Sequence, residues 1–115
     1  MPIKINNSEL NKDYIHEGTH RIVLSFKGES AKNGDEVKIL LRSKNPELVC
    51  FIDNGKEHAE IRFSMKFSNI VRDYEQELIV KQLHTPDQPV FSGFLISCRN
   101  SNGNTASEEF VLQCK

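Results

Sequence analysis

The chain has 115 residues, with 15 Lys and Arg against 16 Asp and Glu, no tryptophan and three cysteines. A formal net charge of -1 excludes a strong overall field for nucleic acid or an anionic membrane. No apolar run approaches the ~18 residues of a membrane-spanning helix, and the length suits a single domain over 1–115 with one modest core.

Residues 1–20 read two ways. Lys4-Ile5 can open an edge strand, or Ser8 can cap one or two helical turns carrying Leu10 and Tyr14 and stopped by Gly18. Over 19–27, Ile22, Leu24 and Phe26 recur at every second position, which is the period of a strand. The polar stretch 28–35 contains Asn33-Gly34 and reads as a turn. Val37, Ile39 and Leu41 mark a second strand, ended by Asn45-Pro46.

Residues 48–67 carry the clearest local signal, a hairpin turning at Asn54-Gly55. That pair suits a two-residue type I′ turn, whose central residues both need positive φ. In the following strand Ile61, Phe63, Met65 and Phe67 share one face, and Arg62, Ser64 and Lys66 the other. Closure by Asp53 and Lys56 sets Leu48 opposite Ile61 and Cys50 opposite Ala59 on the apolar face. Phe51 then points outward.

After Phe67 two patterns compete. Phe67, Ile70, Val71, Tyr74 and Leu78 fit helical spacing with Ser68 as a cap, whereas Leu78, Ile79, Val80 and Leu83 suit a central strand. A short crossing at 68–75 and a strand at about 76–84 satisfies both. A continuous helix near 69–83 is the alternative, and it would make the fold α+β.

The last hairpin joins 90–98 to 107–114. A two-residue Asn102-Gly103 turn would set Ile96 against Glu109, so an odd-length loop is expected, with Phe94 and Ile96 facing Phe110 and Leu112. In that register Cys98 opposes Glu108 and Cys114 opposes Ser92, which puts the two thiols too far apart for a disulfide. Pairing of Cys50 with Cys98 or with Cys114 stays open.

About seven strands separated by Gly, Asn and Pro turns predict an all-β protein, an antiparallel β-sandwich immunoglobulin-like in outline. The start, MPIKINNSEL, lacks the order of a secretory leader, and the odd cysteine set contains no CxxC pair. Both point to a cytoplasmic or otherwise intracellular, reducing compartment.

The sharpest chemical motif is His16-Glu17-Gly18-Thr19-His20, a formal H-E-x-x-H with Glu36 as a conceivable third ligand. Zinc hydrolysis through it requires a helix, so that both imidazoles meet one metal and the glutamate activates its water. A glycine inside the motif and a strand directly after it favour two exposed histidines instead, which leaves a zinc-dependent hydrolase as a remote alternative. His58 and His84 are isolated, Gly28 and Gly34 form no phosphate loop, and the cysteines alternate as core residues would. The expectation is a protein with no cofactor and no catalytic set.

Two surface features point to binding. Lys38, Arg42, Arg62 and Lys66 project from the polar faces of their strands and make a basic stripe if those strands are neighbours. Such a stripe suits nucleic acid or a phosphate headgroup, although it lacks stacking aromatics. Leu40, Phe51, Phe91 and Leu95 fall opposite the inward set, and they leave apolar surface for the 68–75 segment, the N-terminal stretch or a partner chain to cover. The favoured reading is a non-catalytic module that binds another protein through a sheet face or an edge strand, with a homo-oligomer as one form of it.

Overall fold

The computed structural model describes residues 2–115. Ten strands follow one another among them: β1 (Ile3–Leu10), β2 (Tyr14–Ile15), β3 (Gly18–Ser30), β4 (Asp35–Ser43), β5 (Val49–Asp53), β6 (Lys56–His58), β7 (Glu60–Phe67), β8 (Arg72–Gln82), β9 (Val90–Asn100) and β10 (Thr105–Cys114). Sheet A has the order β1-β3-β8-β5-β6 and sheet B the order β2-β10-β9-β4-β7. The protein is an all-β sandwich, as the alternation predicts. The strand count exceeds seven because β1 is a full strand and because β2 and β6 are short edge pieces.

The inward positions of β3 and β4 are Ile22, Leu24, Phe26, Val37, Ile39 and Leu41, all buried. They meet Val80, Phe94, Ile96 and Leu112 in one continuous core between the sheets. Phe94 stacks on Phe110 at 5.5 Å and meets Phe51 edge-on at 5.7 Å. At the other end Tyr74 stacks on Phe26 at 5.8 Å and on Phe67 at 5.0 Å. Gly28 lies under that cluster, where a Cβ would come within 2.8 Å of the Phe67 ring, so a larger residue there would have to displace that ring.

A buried polar knot ties the sheets together at the same end. Asp35 Oδ2 accepts from the Ser30 hydroxyl at 2.6 Å and from the Asn100 amide at 3.0 Å. These two bonds, Ser30 first, hold the Asp35 carboxyl below its ordinary pKa against the opposing effect of burial.

Several expectations change. Of the two N-terminal readings the edge strand opened by Lys4-Ile5 forms, as β1, and Ser8 bonds to Glu108 instead of capping a helix. No helix forms over 69–83: β8 occupies Arg72–Gln82, with Tyr74, Leu78, Val80 and Gln82 turned inward. Ile70 and Val71, whose spacing suggests a helix, are exposed in the preceding loop.

The Asn54-Gly55 turn forms as expected, with φ of 53° and 72°. Its ladder ends at Phe51↔His58, however, and at Ala59 the chain leaves sheet A so that β7 can join β4 in sheet B. The pairings Leu48–Ile61 and Cys50–Ala59 therefore do not form. The crossing resets the parity of the faces, so the core residues of β5 are Val49 and Phe51.

The last loop is of odd length, as expected. Ser101, Asn102 and Gly103 lie between Asn100 and Asn104, whose backbone bond spans 3.1 Å, and Gly103 takes the positive φ of 80°. The register differs from the predicted one by two residues: Phe94 faces Phe110, Cys98 faces Ala106 and Cys114 faces Val90. A shift of two keeps every side chain on its own face. All three cysteines are free and buried, so Cys50 pairs with neither Cys98 nor Cys114. Burial pushes the Cys98 and Cys114 thiols up to about 11.

Candidate functional site

The outer face of sheet B carries a groove of about 800 Å³. Its shape follows from the strand register. One cross-strand row reads Ser64, Lys38, Arg99, Thr105 from β7 to β10, and the next reads Arg62, Leu40, Ser97, Ser107. Short hydroxyl side chains and the half-buried Leu40 and Leu95 form the floor, and long cationic side chains rise around it. Among the described residues no carboxylate lines the groove.

Lys38 and Arg99 stand directly opposite one another across β4 and β9. Like charges in that position repel, and among the described residues neither makes an ion pair. Arg62 is different, since its guanidinium forms an ion pair with Glu60, 2.9 Å away on its own strand.

Of the residues singled out from sequence, Lys38, Arg42, Arg62 and Lys66 do share one face, because β4 and β7 are neighbours. The stripe is interrupted, however: Glu60 opposes Arg42 and Glu36 opposes Lys66. Leu95 lies in the groove, as does Leu40. Phe51 is no part of any surface, being a core residue only 1% exposed. Phe91, 66% exposed, sits on the same outer face nearer its other end, one row from Val111. Arg99, Ser97, Thr105 and Ser107 were missed. The outward parity of Ser97 and Arg99 follows from Phe94, Ile96 and Cys98, and that of Thr105 and Ser107 from Phe110 and Leu112, but their approach to Lys38 depends on β9 lying beside β4.

The His16-Glu17-Gly18-Thr19-His20 motif is not helical. Gly18 has φ of 115°, the His20 ring nitrogen contacts the His16 carbonyl oxygen at 2.8 Å, and Glu17 accepts from Thr85 at 3.1 Å. The chain turns into β3 inside the motif, so the one-face geometry that zinc hydrolysis needs is absent. No group of His, Cys, Asp or Glu among the described residues is arranged to hold a metal.

Comparison of the fold finds similar sandwiches. The ASH/PapD-like domain 7 of human CEP192 aligns with a TM-score of 0.54 at 13% identity, over 94% of this chain and 83% of that one. A conjugative transposon lipoprotein from Bacteroides eggerthii aligns with 0.52 at 16%, over 96% of both chains. A Niemann-Pick type C2 protein from Japanese carpenter ant aligns with 0.54 at 9%, over 100% and 94%. At these identities the likeness is one of fold. No protein-family model and no curated protein sequence matches the chain.

Proposed function

We propose that this chain is a non-catalytic interaction module that binds an acidic segment of another protein in the groove on the outer face of sheet B. The opposed pair Lys38 and Arg99 carries the reading. Two cations held in register without a carboxylate between them weaken the sheet, and an anionic ligand reverses that effect. The Leu40 and Leu95 floor adds apolar contact, and the four hydroxyls of Ser64, Ser97, Thr105 and Ser107 supply donors for carboxylate oxygens. Three unpaired, buried thiols support a reducing compartment.

Nucleic acid suits this surface less well. Glu36 and Glu60 break the basic stripe, and Phe63, the aromatic among the lining residues, is half-buried on the inner-facing side of β7, where it offers no ring for base stacking. The test is an isotope-labelled titration with a short Glu/Leu peptide and, separately, a single-stranded oligonucleotide at the same salt. Saturable peptide shifts at Lys38, Ser64 and Arg99, lost in a Lys38→Gln/Arg99→Gln variant that melts no lower than the wild type, support the proposal. Tighter binding of the oligonucleotide at those residues overturns it in favour of nucleic acid, and no saturable shift with either sinks both.

A further inference from the structure

Sheet edges are where β proteins either block or accept further strands, and the four edges here are not equal. Sheet B ends on one side at β2, which pairs only with Gln113 and Cys114 of β10 while β1 packs against β10, and sheet A ends at β6, three residues long. The other edge of sheet A is β1, whose ladder is interrupted between Asn6 and Glu9, where Asn7 takes a φ of 56°. Short and bulged edges resist pairing. β7 is neither: it runs eight residues, and its register with β4 is unbroken from Asp35↔Phe67 to Arg42↔Glu60.

The hydrogen-bond phase along β7 follows from one contact. Ser43 N–H donates to the Ala59 carbonyl at 2.9 Å, which extends the β4–β7 register by one hydrogen-bonded pair. Such pairs alternate in an antiparallel ladder, so they recur at Leu41↔Ile61, Ile39↔Phe63 and Val37↔Met65. The backbone N–H and C=O groups of Arg62, Ser64 and Lys66 therefore point away from the sheet. The inner face is unfinished at the same place. Val37, Ile39 and Leu41 of β4 are at most 1% exposed, whereas their neighbours Ile61, Phe63 and Met65 are only half-buried.

Resting on the reading of this chain as a protein-binding module, we infer that β7 is a strand acceptor. It takes an extended segment of alternating apolar and acidic residues from another protein as a sixth strand of sheet B. The apolar residues of that segment cover Ile61, Phe63 and Met65, and the acidic ones meet Arg62 and Lys66 on the outer face, beside the groove. Antiparallel self-pairing centred on Phe63 would set Glu60 against Lys66 and Arg62 against Ser64, and centred on Ser64 it would set Arg62 against Lys66 at two places. Like charges so opposed disfavour the pair, while Lys66, which makes no ion pair among the described residues, and Arg62, shared with Glu60, favour the acidic strand.

Amide hydrogen exchange of the full chain with a peptide of alternating Glu and Val tests this. Binding is expected to slow exchange at Arg62, Ser64 and Lys66, whose amides are open in the free protein, and to leave Ile61, Phe63 and Met65 unchanged. Methylating the peptide nitrogens that meet β7 should weaken binding by about tenfold or more, and this control leaves the protein untouched. Ser64→Pro, tolerated where an edge N–H faces solvent, should abolish the protection, whereas Ser64→Ala should keep it. Unaltered binding of the methylated peptide, or shifts confined to the groove with β7 exchange unchanged, would overturn strand addition while leaving the groove reading intact. A dimer of the free chain that dissociates in Ser64→Pro would overturn the choice of an acidic partner over a second copy.

Discussion

Ser8 donates both its backbone N–H, at 3.2 Å, and its hydroxyl, at 2.8 Å, to one carboxylate oxygen of Glu108, 100 residues away. Ser8 sits on the bulge of β1 in sheet A, and Glu108 on β10 in sheet B opposite the buried Ile96. One carboxylate thus fastens the bulged edge of one sheet to the other. Hydrogen bonds to charged groups contribute about 1.5–3 kcal/mol when well shielded, and these residues are half-buried. Glu108→Ala is expected to lower the unfolding free energy by about 1–2 kcal/mol in urea, with Glu108→Gln intermediate. Hydrogen exchange should quicken along β1 first. An unchanged β1 would show that the clasp contributes nothing to holding the edge.

Asp35 makes stability depend on acid in a definite direction. Its pKa is lowered in the folded chain, chiefly by the Ser30 hydroxyl and then by the Asn100 amide. A lowered carboxyl contributes stability that is present above the ordinary aspartate value, about 3.9, and is lost as pH falls through the lower folded value. The wild-type melting temperature should therefore fall steeply below pH ~4. Asp35→Asn should cost about 1–3 kcal/mol at neutral pH, because the buried donors then face a weaker acceptor, and its profile should be flatter in acid. Parallel acid profiles for the two proteins would remove Asp35 as the cause.

The thiols give the opposite sign at the other end of the scale. Burial raises Cys98 and Cys114 from an ordinary value of 9.0 to about 11. Their contribution is fully present below the unfolded value and is lost as pH rises from about 9 towards about 11. Since the thiolate is the reactive form, all three cysteines should resist an aromatic disulfide reagent in the folded chain at neutral pH. Full release of three thiols is expected on addition of guanidinium. Rapid native labelling would contradict the burial.

How far sequence alone reaches is visible at Phe51 and Leu95. Alternation within a strand was readable nearly everywhere, as was the Asn54-Gly55 turn, because both are local consequences of backbone geometry. The departure of the chain from sheet A at Ala59 was not readable: nothing nearby distinguishes a hairpin that continues from one that splits between two layers. That single crossing turned Phe51 from an outward residue into one packed at 5.7 Å from Phe94. The conflict over 69–83 was settled by packing too, since Tyr74, Leu78 and Val80 find the core at period two while Ile70 and Val71 do not. Phe51→Ala should accordingly cost about 3–5 kcal/mol. Leu95→Ser, on the half-buried outer face, should cost far less and act on ligand binding. Equal losses from both would place Leu95 in the core as well.

The last prediction separates stability from binding at the groove. Lys38 and Arg99 are opposed cations with no acidic neighbour in the lining of the groove. Lys38→Glu replaces a repulsive cross-strand pair with an attractive one, so the variant should melt slightly above the wild type, by a fraction of a kcal/mol. It also plants a carboxylate where an acidic segment is to lie, and affinity for a Glu-rich peptide should fall by about tenfold or more, most of all at low salt. A surface kept only for solubility would show the stability gain without any change in peptide binding. The two measurements on one variant therefore distinguish a retained binding site from an ordinary solvated sheet. Residues that lower stability in the free chain and raise affinity for an anion are those that a binding role, rather than folding, has kept in place.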